Sequence, residues 1–431
     1  MNHSSYPLFS LSRPAGVRVL FGLLATIFGL ASADAAPVKT VLVKAGSGWQ
    51  LTRDGKPYFI KGGGGGGPKD VLAESGGNSF RTWGVGKDTQ RDLDEAQKYG
   101  LSVTVGIWLG DNPEGIRRGI EENRQNILKY KDHPALLAWS IGNEMESHGK
   151  NNSELWKAIE ELAAMVKKTD PNHPTMTVIA ELGSKSLGYI KEYCPDIDIV
   201  GVNSYGGGTS VGDRYVKADV GKPYVITEYG PPGTWEIGRN AFKAAEELTS
   251  TEKAAKYREV YEKSVLGHPG VCLGSYAFTW GFKREATATW YGLFLPDNAK
   301  LAGVDTLTEL WSGKPPRYRC PVISKITLAT PDQPDAGDTL KASVTTTDPQ
   351  GAKLEIKWAL IKEMSNYNLT GTGAAATADH SSGIAKNGLP TVEVKLPTVP
   401  GVYRLYCYVY NPFKSAAIAS APINIRPAPQ K

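Results

Sequence analysis

The sequence predicts an α/β chain in two parts, a (β/α)8 barrel over residues 36–318 and an immunoglobulin-like β-sandwich over 319–431. Three observations carry this expectation. Eight short apolar runs alternate with amphipathic or turn-rich segments, the pattern of βα units and a parallel sheet. All eight lie between residues 58 and 280, which suits a barrel of about 250 residues. Past about Cys320 the helical period fades and strand-like alternation replaces it. A doubly wound open sheet is the structural alternative.

The first segment reads as an address. Arg13 and Arg18 precede an apolar run at 19–30, and Ala33-Asp34-Ala35 supplies a small-x-small cleavage pattern, so residues 1–35 are expected to be a signal peptide. The run is short for a bilayer span of about 20 residues, and an uncleaved anchor is the competing reading. Cleavage implies a secreted or periplasmic protein without stable membrane insertion, in a compartment that permits disulfides. Nicotinamide and ATP are scarce there, so no cofactor is expected.

The eight barrel runs fall at 58–61, 78–83, 102–108, 136–142, 175–180, 197–203, 224–228 and 272–280, with helical patterns at 92–99, 115–130, 153–169 and 251–266. The sandwich strands are expected at 340–346, 354–360, 391–396 and 403–410, separated by turn clusters such as Asp348-Pro349-Gln350-Gly351. Trp358 falls where such a sandwich buries a tryptophan. Gly62–Gly67, six consecutive glycines, follow the first run. They are either a backbone lining for a ligand or a loose connection.

Composition narrows the class. A 431-residue chain with 41% hydrophobic and 22% charged residues is an ordinary globular protein, and a net charge of +5 without a basic stripe gives no reason to expect nucleic acid. The expected state is a monomer. Cys194, Cys272, Cys320 and Cys407 are too few for a disulfide scaffold and lack zinc-site spacing. They read as buried thiols or structural bridges, with pairing left open. No metal-ligand histidine cluster, P-loop or G-x-S-x-G elbow is present.

In such a barrel the chemistry sits where strands end and βα loops begin. The fourth run ends in Trp139-Ser140-Ile141-Gly142-Asn143-Glu144, the seventh in Ile226-Thr227-Glu228-Tyr229-Gly230. Two glutamates facing one another across a mouth are what glycosidic cleavage requires, one to attack the anomeric carbon and one to protonate the leaving oxygen. Arg81 ends the second run, where a fixed cation would keep Glu228 ionised. Asn143 can donate to a sugar hydroxyl, and Tyr205 can orient the nucleophile. Trp83 and Trp108 can stack on sugar or pack in the core.

Residues 49–315 resemble clan A glycoside hydrolases, above all the barrel of family 2, with some likeness to family 5 and to the β-1,3-glucanosyltransferases. The likeness rests on His133-Pro134-Ala135-Leu136-Leu137-Ala138-Trp139-Ser140-Ile141-Gly142-Asn143-Glu144, supported by Phe59-Ile60-Lys61-Gly62, Gly77-Asn78-Ser79-Phe80-Arg81-Thr82-Trp83 and Ile226-Thr227-Glu228-Tyr229-Gly230. The resemblance implies Glu144 as acid/base, Glu228 as nucleophile and Trp280 as an aromatic platform beneath the sugar. The expected activity is retaining hydrolysis of β-glycosidic bonds in a glucan or related polysaccharide. Transfer to another sugar by the same glutamates, or carbohydrate binding without catalysis, are the alternatives.

Overall fold

The chain closes its barrel from below before building it. In the computed structural model, which describes residues 37–429 except 330, 365–366 and 368–375, strands β1 (Thr40–Ala45), β2 (Gly48–Arg53) and β3 (Lys56–Tyr58) form an antiparallel sheet. The leader expected at 1–35 lies outside the described residues. Asp54 and Gly55 both have positive φ (51° and 70°), the two-residue turn that Asp-Gly favours, and this fixes the pairing Arg53↔Lys56. Leu51 then packs with Ile60, Leu137, Met176, Val225 and Leu273 at the barrel floor. Arg53 ties the sheet down through Nη1, which donates to the Leu136 carbonyl at 2.6 Å.

Eight parallel strands follow: β4 (Ile60–Gly64), β5 (Ser79–Arg81), β6 (Ser102–Ile107), β7 (Leu136–Asn143), β8 (Thr175–Ala180), β9 (Ile199–Asn203), β10 (Tyr224–Glu228) and β11 (Cys272–Phe278). They close in the order β10-β11-β4-β5-β6-β7-β8-β9, a (β/α)8 barrel and not an open sheet. The outer helices bury one stripe. Along Ser153–Thr169 the buried positions Leu155, Ile159, Leu162 and Val166 recur every three or four residues, and Asn152 caps the start by accepting from Leu155 N at 3.1 Å. The helix expected at 115–130 is two, Pro113–Arg118 and Ile120–Tyr130, divided at Gly119.

The glycine run answers neither expected reading. Gly62, Gly63 and Gly64 belong to β4 itself and pair with Tyr276, Ala277 and Phe278 of β11. A Cβ on Gly62 would lie 2.3 Å from the Tyr276 ring, and one on Gly63 would lie 2.6 Å from Trp280 Cβ. These glycines let large aromatic side chains of β11 and its following loop pack against the first strand. That is a packing requirement at a strand, not a flexible loop.

After the last barrel-side helix, Ala302–Ser312, the remaining strands are all antiparallel: β12 (Val322–Ile323), β13 (Thr327–Leu328), β14 (Thr339–Ser343), β15 (Thr346–Thr347), β16 (Glu355–Lys362), β17 (Thr391–Lys395), β18 (Gly401–Asn411) and β19 (Ser415–Ile425). Sheets β13-β14-β17 and β16-β18-β19 share one core in which Leu340 and Val394 meet Trp358, Leu405 and Cys407. Alternation is clear in β17, where Val392 and Val394 are buried between exposed neighbours. All four cysteines are buried free thiols, so no bridge joins Cys320 to Cys407. Among the described residues, no helix is long and apolar enough to cross a membrane.

Candidate active site

The strand ends converge on a cleft of about 710 Å3 whose walls include Glu144, Glu228, Asn143, Tyr205, Trp83 and Trp108. Glu144 follows β7 in a left-handed conformation (φ 54°), its N–H donating to the Val178 carbonyl at 2.9 Å. Glycine at 142, also at positive φ, lets the strand turn just before it. Glu228 is the last residue of β10 and is only 6% exposed.

The two carboxyl groups meet opposite electrostatics. Glu228 Oε1 accepts from Arg81 Nη1 at 3.1 Å and from Trp83 Nε1 at 2.8 Å, and Oε2 accepts from the Tyr205 hydroxyl at 2.8 Å. Glu228 thus meets three donors, one of them a buried cation. Among the described residues, Glu144 has one side-chain donor, Asn203 Nδ2 at 2.6 Å. Burial first, and the negative charge of Glu228 second, push its carboxyl up to about 7. The same burial, with Glu228 next, lifts the Tyr205 phenol well above its usual value, which keeps it a donor.

Asn143 and Asn203 join the two halves. Asn143 Oδ1 accepts from Arg81 Nη2 at 2.5 Å and from Asn203 Nδ2 at 3.2 Å, which leaves Asn143 Nδ2 without a protein partner among the described residues. That is the donor a sugar hydroxyl would meet. Thr227 Oγ1 donates to Asn203 Oδ1 at 2.7 Å and holds the amide in this orientation.

Trp280 corrects the expectation of a platform. It is fully buried, packs against Phe294 and Trp311, and donates through Nε1 to the Pro68 carbonyl at 2.9 Å, behind the glycines of β4. The ring that lines the cleft from this strand is Phe278, edge-on to Trp83, with ring centroids 5.9 Å apart. Trp83 is half-buried, and Trp108 is 61% exposed at the rim.

The cleft also includes residues not picked out by the sequence reading. Asn203 and Glu181 end or follow strands β9 and β8, and the strand-end rule that singled out Glu144 applies to them equally. Trp235 and Glu236 come from the stretch 229–249, which holds no helix or strand. Its length was the available signal, since long irregular βα connections in barrels carry binding residues. Lys283, in the loop after β11, pairs with Glu285 and also lines the cleft, its ammonium 4.8 Å from the Phe278 ring centroid.

A closed parallel barrel with glutamates at the ends of its fourth and seventh strands is the arrangement that the clan A resemblance implies. Residues 72–253 match the family model described as glycosyl hydrolases family 2, TIM barrel domain. It is 28% identical over 129 residues to mannan endo-1,4-beta-mannosidase F of Aspergillus clavatus, covering 24% of this chain and 30% of that protein. It is 28% identical over 145 residues to beta-glucuronidase of Sus scrofa, covering 32% of this chain and 21% of the relative. The chain thus spans less than a third of the length of these relatives. Among solved structures, Faecalibacterium prausnitzii beta-glucuronidase superposes with a TM-score of 0.50 at 19% identity, covering 64% of this chain and 52% of that one, a likeness of fold.

Proposed function

We propose that the protein is a retaining β-glycosidase acting on a β-linked glucan or related polysaccharide, with Glu228 as nucleophile and Glu144 as acid/base. The observation that carries this is the unequal treatment of two carboxyl groups in one cleft. Glu228 is tied to a buried guanidinium, an indole and a phenol, whereas burial and the neighbouring charge keep Glu144 protonated up to about pH 7. A carbohydrate-binding protein has no need of that division.

In the first step a Glu228 oxygen bonds to the anomeric carbon while the glycosidic C–O bond breaks, and the Glu144 proton passes to the departing oxygen. In the second, Glu144 takes a proton from water as the water oxygen displaces Glu228 and frees the sugar. Arg81 offsets the charge that returns to Glu228, and Asn143 Nδ2 is available to a hydroxyl of the bound ring. An activated 2-deoxy-2-fluoro glycoside tests the reading by trapping the covalent intermediate. The expected result is a mass increase on the peptide containing Glu228. Binding without covalent labelling would favour the non-catalytic alternative.

A further inference from the structure

The chain has ten tryptophans, and Trp108 and Trp235 are the two that stand exposed, at 61% and 59%. Both line the cleft. Trp108 directly follows β6, the third barrel strand, and Trp235 lies in the loop after β10, the seventh. In the closed order β10-β11-β4-β5-β6-β7-β8-β9 these strands are diametrically opposed, so the indoles stand on opposite rims with the Glu144–Glu228 cleft between them. The position of Trp235 is built in: it lies against the bare backbone of Gly233, where a Cβ would come within 2.5 Å of its ring, and is edge-on to Tyr205.

Beyond Trp108 the surface does not close. A second hollow of about 340 Å3 begins on Trp108, which it shares with the cleft, and runs over Gly115 and Gly119 towards Glu122, Asn123 and Asn126. An exposed indole followed by carboxylate and amide groups suits a pyranose, which has an apolar face and a hydroxylated edge.

We propose that the substrate is an extended oligosaccharide chain of at least about four units, lying across the barrel mouth from Trp235 to Trp108 and on into the second hollow, so that cleavage is internal. This rests on the glycosidase reading and deepens it. A pocket for a terminal sugar needs one closed end, and here both rims present an open stacking face.

The test compares cello-, laminari- and mannohexaose with their dimers, using the full chain, Trp108→Ala, Trp108→Phe, Trp235→Ala and Asn126→Ala. The hexaose that is cleaved is expected to exceed its dimer at least about tenfold in kcat/KM, with early products of about two to four units. Trp108→Ala, Trp235→Ala and Asn126→Ala should each lower that hexaose-to-dimer ratio, the tryptophan changes by about tenfold, and Trp108→Phe should restore most of it. A ratio unmoved by these substitutions, or release of single sugars only, overturns the extended track and leaves the glycosidase reading standing. If no hexaose is cleaved, calorimetric titration decides. Hexaose binding weakened by Trp108→Ala upholds the track while the catalytic reading fails, and absence of binding overturns the track.

Discussion

Arg81 Nη1 lies 3.1 Å from Glu228 Oε1, with the two side chains 1% and 8% exposed. A guanidinium so deeply buried is costly to desolvate and is held by what it contacts: Glu228, the Thr227 carbonyl at 3.1 Å and Asn143 Oδ1 at 2.5 Å. Arg81 therefore positions both the Glu228 carboxylate and the Asn143 amide. Glu228→Ala should abolish turnover. Arg81→Met should lower kcat by about 10²-fold or more, the scale of losing one preorganised electrostatic contact. Wild-type kcat in a folded Arg81→Met protein would remove this role.

The pH profile should carry the signature of Glu144. Its folded value is raised to about 7 by burial and by Glu228, so the protonated acid is present below that pH and is lost above it. kcat/KM is expected to fall on the basic side with a midpoint near 7. The Asn203 amide donates to the ionised form and pulls the value down, so Asn203→Ala should move the basic limb upward. Glu144→Ala should lose the limb, and azide should restore part of its turnover by attacking the glycosyl-enzyme without general base help. An unchanged limb in Glu144→Ala would assign the proton elsewhere.

The glycine run gives a contrast within four residues. Gly63→Ala drives a methyl group to 2.6 Å from Trp280 Cβ, where neighbouring strands leave little room to give, and a loss of about 1–3 kcal/mol is expected. A Cβ on Gly66 meets nothing within 4 Å, so Gly66→Ala should be near neutral. Urea unfolding of the two variants measures the difference. Equal stability would mean that these glycines serve flexibility and not packing.

This contrast also marks what the sequence made legible. Strand periodicity and the strand-end rule were enough to anticipate a closed barrel, because buried parallel strands are continuous apolar runs. They did not show that the first strand continues through Gly64, since glycine has no side chain to register on either face. The hairpin that closes the barrel floor escaped for another reason: Thr40–Ala45 and Gly48–Arg53 interleave apolar and charged residues, and only Asp54-Gly55 announces the turn. β19 carries Pro422, which argues against a strand interior, but β19 is an edge strand, where a missing N–H is tolerated. Trp280 was assigned to the cleft because it ends the eighth run, where the clan A resemblance implies an aromatic platform. Side-chain direction at a strand end depends on local backbone course, and here it carries the indole outward to Phe294 and Trp311.

Glu146, two residues past Glu144, links pH to stability. It is largely buried, its Oε1 accepts from Ala180 N at 2.7 Å, and its Oε2 has no partner among the described residues. Burial raises its carboxyl from 4.5 to about 7. The folded protein therefore favours the protonated form, and the resulting stabilisation is complete below pH 4.5 and lost as pH rises through about 7. Glu146→Gln should leave stability at pH 4 nearly unchanged and raise it at pH 8 by on the order of 2–3 kcal/mol. Denaturant midpoints at both pH values check this. Equal midpoints at pH 8 would show that Glu146 ionises without penalty.

The last prediction concerns how the sheets beyond the barrel bear on the cleft. Arg404 of β18 donates from Nη2 to the Ala245 carbonyl at 2.7 Å while pairing with Glu363 through Nε at 2.8 Å and Nη2 at 2.7 Å. Ala245 belongs to the same irregular segment as Trp235 and Glu236. Nearby, Glu247 accepts from Lys253 at 2.5 Å, Thr287 at 2.8 Å, Thr289 at 2.7 Å and Ser420 of β19 at 3.1 Å. The sandwich thus fastens one wall of the cleft. Arg404→Met leaves Glu363 buried without its cation, with only the Tyr367 hydroxyl still donating to it, which should cost about 3–5 kcal/mol, and Arg404→Met with Glu363→Leu should recover most of that. The double variant still lacks the donor to Ala245, so amide hydrogen exchange across 233–247 should stay faster than in the wild type although global stability has returned. Exchange that recovers together with stability would reduce the sandwich to bulk support, because only a specific anchor separates the two measurements.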